Sequence, residues 1–96
     1  MPSAYIVADI TVTNPEQYEE YKRWSTIAIQ HFGGEVCSRG GRSEVLEGEW
    51  APQRLVVLKF KDFDAARAFY NSEQYLKARE ARKGASISRM VIVEGV

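Results

Sequence analysis

Apolar and polar residues alternate from Ala4 to Val12 (AYIVADITV), which predicts a strand. Ala4, Ile6, Ala8, Ile10 and Val12 share one face, and Tyr5, Val7, Asp9 and Thr11 the other. The next residues, NPEQ, announce a helix: Asn14 can cap it, Pro15 suits a first helical position where no N–H partner exists, and Gln17 can close a capping box. Tyr18, Tyr21, Ser25, Ala28 and Phe32 recur at helical spacing and form an apolar stripe, widened by Trp24 and Ile27. Gly33-Gly34 supplies the stop.

Residues 35–49 read as strand, glycine turn, strand, which puts Glu44, Glu47 and Glu49 on an exposed edge strand. Arg54 to Phe60 (RLVVLKF) reads as a central strand. Asp62 caps a helix that buries Ala66, Phe69 and Tyr70. Ser72 caps a continuation carrying Tyr75, Leu76, Ala78, Arg79 and Arg82, and Gly84 stops it. Ile87 to Glu94 (ISRMVIVE) is the last strand. The order β-α-β-β-α-β predicts an α+β fold of ferredoxin-like type, one domain over residues 1–96. In it, two helices cover one face of a four-stranded antiparallel sheet, with the first and third strands central.

The uncovered face is then Tyr5, Val7, Asp9 and Thr11 beside Leu55, Val57 and Lys59 and beside Ile87, Arg89, Val91 and Val93. Most of these side chains are apolar, and an apolar face left open usually marks an interface. The expectation is a two-fold homodimer closed sheet to sheet. Asp9, Lys59 and Arg89 would cluster between the sheets, either as a satisfied ion group or as the polar end of a cavity.

Composition narrows the function. The chain has 96 residues with 13 basic and 13 acidic side chains, a balance that argues against a nucleic-acid partner. No apolar run is long enough to cross a membrane. The start, MPSAYIVADI, lacks the basic opening and small-residue cleavage site of a signal peptide. With Cys37 as the only cysteine, no intrachain disulfide forms, and the cytoplasm is the expected location.

The motifs are sparse. CSRGGR (37–42) lacks the spacing of a phosphate-binding loop and reads locally as a turn or bulge. RLVVLKF lacks the glycine and stacking aromatics of an RNA-recognition strand. His31 is the only histidine, in the last turn of the first helix. There it either complements the helix dipole or serves as a base or a metal or haem ligand. One His and one Cys are too few for a closed zinc site, so no metal or cofactor is expected. Tyr18, Tyr21, Tyr70 and Tyr75 supply core packing, with hydroxyls that need partners if buried.

Several spaced segments together, NPEQYEEY, FGG, SRGG, LEGEWAPQR, Phe60, YNSEQY, Arg82 and VEGV, resemble the domain-of-unknown-function 1330 family of the dimeric α+β barrel superfamily over nearly the whole chain. The sequence departs from that pattern at Lys61, where proline is usual, and at Cys37, where an aliphatic residue is usual. The resemblance implies a cytoplasmic dimer with a cleft between sheet and helices. Superfamily members include cofactor-independent monooxygenases, muconolactone isomerase-like enzymes and haem-handling enzymes. The polar positions that match the family are Arg39, Glu47, Arg54, Ser72, Tyr75 and Arg82. The implied ligand-binding set is Arg39, Gly40, Gly41, Arg54, Tyr21, Tyr75 and Arg82. Arg39 and Arg82 would hold a carboxylate or enolate, Tyr75 would relay a proton, and Asp9 or His31 would act as base. The function that follows is a pocket for a small anionic or enolisable molecule, in a cofactor-independent enzyme or in a non-catalytic binding dimer.

Overall fold

The computed structural model describes residues 2–96. Seven elements follow in order: β1 (Ala4–Val12), α1 (Pro15–His31), β2 (Glu35–Arg39), β3 (Arg54–Phe60), α2 (Phe63–Tyr70), α3 (Glu73–Ala81) and β4 (Ser86–Glu94). The strands form one antiparallel sheet in the order β2-β3-β1-β4, so the expected ferredoxin-like topology is present with the first and third strands central.

Each helix begins on the cap that its sequence offers. Asn14 Oδ1 accepts from Gln17 N, Asp62 Oδ1 from Ala65 N and Ser72 Oγ from Tyr75 N, contacts worth about 1 kcal/mol each. Gln17 does more than close a local box. Its amide donates to the carbonyls of Ala81 at 3.0 Å and Lys83 at 2.7 Å, tying the start of α1 to the end of α3. The buried side of α1 is Tyr18, Tyr21, Ser25, Ala28 and Ile29. Ile27, expected in the stripe, is exposed, and Ile29 takes the inner position.

The register sorts the sheet cleanly. Ala4, Ile6, Ala8 and Ile10 stand opposite Phe60, Leu58, Val56 and Arg54, and this face packs beneath the helices. An aromatic line runs through the core, with Phe60 against Phe69 at 5.0 Å and Phe69 against Tyr75 at 4.5 Å between ring centres. The opposite face shows Tyr5, Val7 and Asp9 paired with Lys59, Val57 and Leu55, and with Val93, Val91 and Arg89. Ile87, Val91 and Val93 on it are exposed.

Two expectations are corrected. The second half of residues 35–49 is not a strand: β2 stops at Arg39, and residues 40–51 are exposed without regular structure. Gly40 has φ +66°, outside the extended region, so it turns the chain off the sheet edge. The acids Glu44, Glu47 and Glu49 therefore lie on a strap rather than an edge strand. The strap is anchored by Trp50, whose indole N–H donates to Asp9 Oδ2 at 3.0 Å. Nor does Lys59 join Asp9 and Arg89. Asp9 faces Arg89 across the β1–β4 ladder, whereas Lys59 lies opposite Tyr5, four paired positions further along.

Candidate functional site

Between the sheet and α1 lies a cavity of about 130 Å³. Its floor is Ile6, Ala8, Ile10, Val56 and Leu58, its roof carries Tyr18, Tyr21, Ser25 and Ile29, and Phe69, Tyr75 and Met90 close its inner end. Lys22, Thr26 and Arg39 are its exposed wall residues and mark the mouth, between α1 and the edge strand β2. The floor is apolar, and the charged wall residues, Lys22, Arg39 and Arg54, are all cations. Lys22 is already paired on the surface with Glu19 at 2.6 Å.

Arg39 reaches the cavity through an irregularity in β2. Val36 pairs with Leu58, but Ser38 pairs with Val57 and Arg39 with Val56, so Cys37 is the extra residue of a β-bulge. Three residues apart on a regular strand, Val36 and Arg39 would face opposite ways. The bulge turns both to the helix side and leaves Cys37 exposed. Gly40 follows with its backbone laid on Arg54: a β-carbon there would sit 2.9 Å from Arg54 Nη1 and 3.2 Å from its Cγ. Gly41 has no such neighbour; a β-carbon there would meet only Ser38 Oγ, at 3.8 Å.

Arg54 is the one charged residue of β3 in phase with the core positions Val56, Leu58 and Phe60. Its Nε is buried and has no hydrogen-bond partner. The ion pairs among the described residues are Lys22–Glu19 and Arg23–Glu20, so neither Arg39 nor Arg54 has a carboxylate there to neutralise it. A buried donor on a cation without an acceptor costs of the order of 1–3 kcal/mol, a cost that an anion in the cavity would relieve.

The inner end is a tyrosine cluster. The Tyr21 and Tyr75 hydroxyls share a hydrogen bond of 2.7 Å, and the Tyr18 ring lies 4.9 Å from that of Tyr21. Burial, then the neighbouring Tyr21, pushes Tyr18 up to about 12, against the charge of Arg54. Tyr21 and Tyr75 are pushed up as well, each chiefly by burial. All three hydroxyls are therefore protonated near neutral pH, able to donate a hydrogen bond and unable to serve as bases.

The structure does not assemble all the residues singled out from the sequence. Arg39, Arg54, Tyr21 and Tyr75 line the cavity. Arg82 does not: it lies beyond Tyr75, its guanidinium over the Tyr21 ring at 4.9 Å, with Nη1 donating to Tyr75 Oη at 3.5 Å and Nη2 to Met90 Sδ at 3.8 Å. Arg39 and Arg82 thus do not converge on one cavity wall. Asp9 sits on the open sheet face under Trp50. His31 is exposed, edge-on to Phe32 at 5.0 Å, and off the cavity wall. Ser72 is spent on its helix cap, and Glu47 lies on the strap. Neither Asp, Glu, His nor Cys is found among the wall residues. Among the described residues no group of three His, Cys, Asp or Glu is placed to hold a metal ion, and no helix is long and apolar enough to cross a membrane. Sequence reasoning passed over Tyr18, Lys22 and Met90 as wall residues. Met90 was discoverable from its phase, since it alternates with Ser88 and Ile92 on the helix side of β4.

The family model described as domain of unknown function DUF1330 matches residues 3–96. No functionally curated protein is similar to the chain in sequence. Among solved structures, a Rhodopseudomonas palustris protein of unknown function is similar at TM-score 0.77 and 16% identity, over 99% of this chain and 83% of the other. SnoaB from Streptomyces nogalater, described as a cofactor-independent oxygenase, matches at TM-score 0.63 and 17% identity, over 97% and 92% of the two chains. A Bacillus halodurans protein of the ethyl tert-butyl ether family matches at TM-score 0.59 and 11% identity, over the whole of both chains. At these identities the likeness concerns the fold.

Proposed function

The chain belongs to the DUF1330 family, and we propose that its cavity binds a small organic anion, apolar body inward and charged group on Arg39 and Arg54. One observation carries this reading: the buried Nε of Arg54 lacks an acceptor on a wall that holds cations and no carboxylate. A guanidinium offers a planar fork for a carboxylate or enolate. The volume of about 130 Å³ is close to the ~150 Å³ cavity that accepts benzene, so benzoate and short keto acids are suitable probes. Titration of benzoate and acetoacetate followed by calorimetry should show saturable binding that weakens about tenfold or more in Arg54→Gln and in Arg39→Gln. Wild-type affinity in both variants would overturn the assignment.

The same arrangement supports enolate chemistry without a cofactor. An α-proton leaves carbon, its electron pair passes to the carbonyl oxygen, and the arginines and protonated tyrosines hold the resulting charge. The fold likeness to a cofactor-independent oxygenase supports this reading. The wall has no side chain able to take the proton, so the acceptor is water or the substrate itself. That same lack supports the alternative, a non-catalytic binding protein. Exchange of the acetoacetate methylene protons with deuterated water, followed by NMR, decides between them. Exchange accelerated by the wild type and not by Arg39→Ala establishes catalysis; an unaccelerated rate with intact binding establishes the binding protein.

We also propose that a second copy covers the open sheet face, in a cytoplasmic homodimer. Val91 on that face is 59% exposed and pairs with Val7, itself paired with Val57, which makes an apolar row across three strands. Sedimentation should give a dimer that Val91→Glu dissociates; a wild-type monomer at micromolar concentration would refute it.

A further inference from the structure

A second cavity, of about 300 Å³, opens on the far side of Ile6 and Met90. It is lined by Ile6, Tyr70, Arg82, Ser88, Met90 and Ile92, with Val91 at its outer rim. Ile6 and Met90 belong to both cavities, so a single layer of side chains divides them. Ile6 in that layer is held firmly: it is 1% exposed and part of the hydrophobic core. Met90 is not held in the same way. It is half-buried on the edge strand β4, and its sulfur receives only long contacts, from Tyr75 Oη and Arg82 Nη2, both at 3.8 Å. An unbranched thioether changes rotamer at little cost and adapts to what lies beside it.

Arg82 faces this second cavity without a carboxylate partner among the described residues. Its recorded hydrogen bonds are the long ones to Tyr75 and Met90, which leaves most of its donors unused. We propose that the two cavities form one elongated site with Met90 as a movable partition, and that its occupant is a bifunctional organic anion. One anionic group would rest on Arg39 and Arg54, an apolar stem would pass Met90, and a second anionic group would end on Arg82. This rests on the anion-binding reading of the first cavity and extends it. The volumes agree: about 130 Å³ alone falls below the roughly 300–1,000 Å³ typical of organic-ligand pockets, whereas the joined space lies within it.

The test is a calorimetric series of hexanoate against succinate, adipate, suberate and sebacate. Affinity for the dicarboxylates peaks at one chain length, about tenfold above hexanoate. Arg82→Gln brings that best dicarboxylate down to the level of hexanoate and leaves hexanoate itself unchanged, which also certifies the folded first cavity. Met90→Phe, which fills the partition and keeps Arg82, abolishes the length preference in the same way. If hexanoate binds through Arg39 and Arg54 but no dicarboxylate gains from Arg82, the elongated site is refuted and the anion-binding reading stands. If no member of the series binds, both are refuted.

Discussion

Gly40 lies on the guanidinium of Arg54, so close that a β-carbon at residue 40 would stand 2.9 Å from Nη1. The two residues are far apart in sequence, and their contact joins the strand end that carries Arg39 to the strand start that carries Arg54. Gly40 is thus needed twice, for its φ of +66° and for the space above Arg54. Gly40→Ala should lower stability by about 1–2 kcal/mol from the left-handed backbone alone. By displacing Arg54, it should also weaken benzoate binding in calorimetry. Gly41→Ala, with ordinary space and no positive φ, should change neither by much; equal effects of the two variants would contradict this geometry.

The buried pair Tyr21–Tyr75 predicts an asymmetric, non-additive result in urea unfolding. Tyr21→Phe leaves the Tyr75 hydroxyl with Arg82 and Met90 nearby. Tyr75→Phe removes the 2.7 Å partner of Tyr21. Stranding one buried hydroxyl costs about 1–3 kcal/mol, so Tyr75→Phe should be the more damaging. The double variant should lose less than the sum of the two singles.

Alkaline pH should unfold the protein through its tyrosines. A folded-state value raised above the ordinary 10 means that the folded chain keeps its proton where the unfolded chain has lost it. Their contribution is intact below pH 10 and, for Tyr18, declines as pH rises from 10 through about 12. Urea midpoints should therefore fall steadily above pH 10. Phenolate absorbance from the buried tyrosines should appear together with loss of helical circular dichroism; if it appears fully while the helices persist, these hydroxyls are not buried as described.

The strap should be separable from the fold. Its visible tether is the bond from Trp50 to Asp9, and Leu46 at its centre is 93% exposed. Trp50→Phe should cost less than about 1 kcal/mol globally. It should also speed cleavage by a glutamate-specific protease after Glu44, Glu47 or Glu49. An unchanged cleavage rate would mean that something other than Trp50 holds the strap.

Local order was written plainly in the chain. Period-two alternation placed β1 on its two faces, Asn14, Asp62 and Ser72 marked the helix starts, and RLVVLKF became β3 with the residues expected. Those features depend on neighbours within a turn or a strand, so a reading of adjacent residues captures them. SEVLEGEW resembled a strand by the same local measure, yet an extended run becomes a strand only beside a partner. Gly40 steers it off the sheet edge, and Trp50 fastens it to Asp9 instead. The site itself depends on distances that no local pattern contains. One extra residue at Cys37 reverses the facing of Arg39, and the β2–β3 register brings Arg54 beneath Gly40. The packing of α3 sets Arg82 behind Tyr75 rather than beside Arg39. Sequence alone determined the helices, the strands β1, β3 and β4 and most of their buried faces; register, bulge and helix packing decided which charges meet, because these are relations between segments remote in the chain.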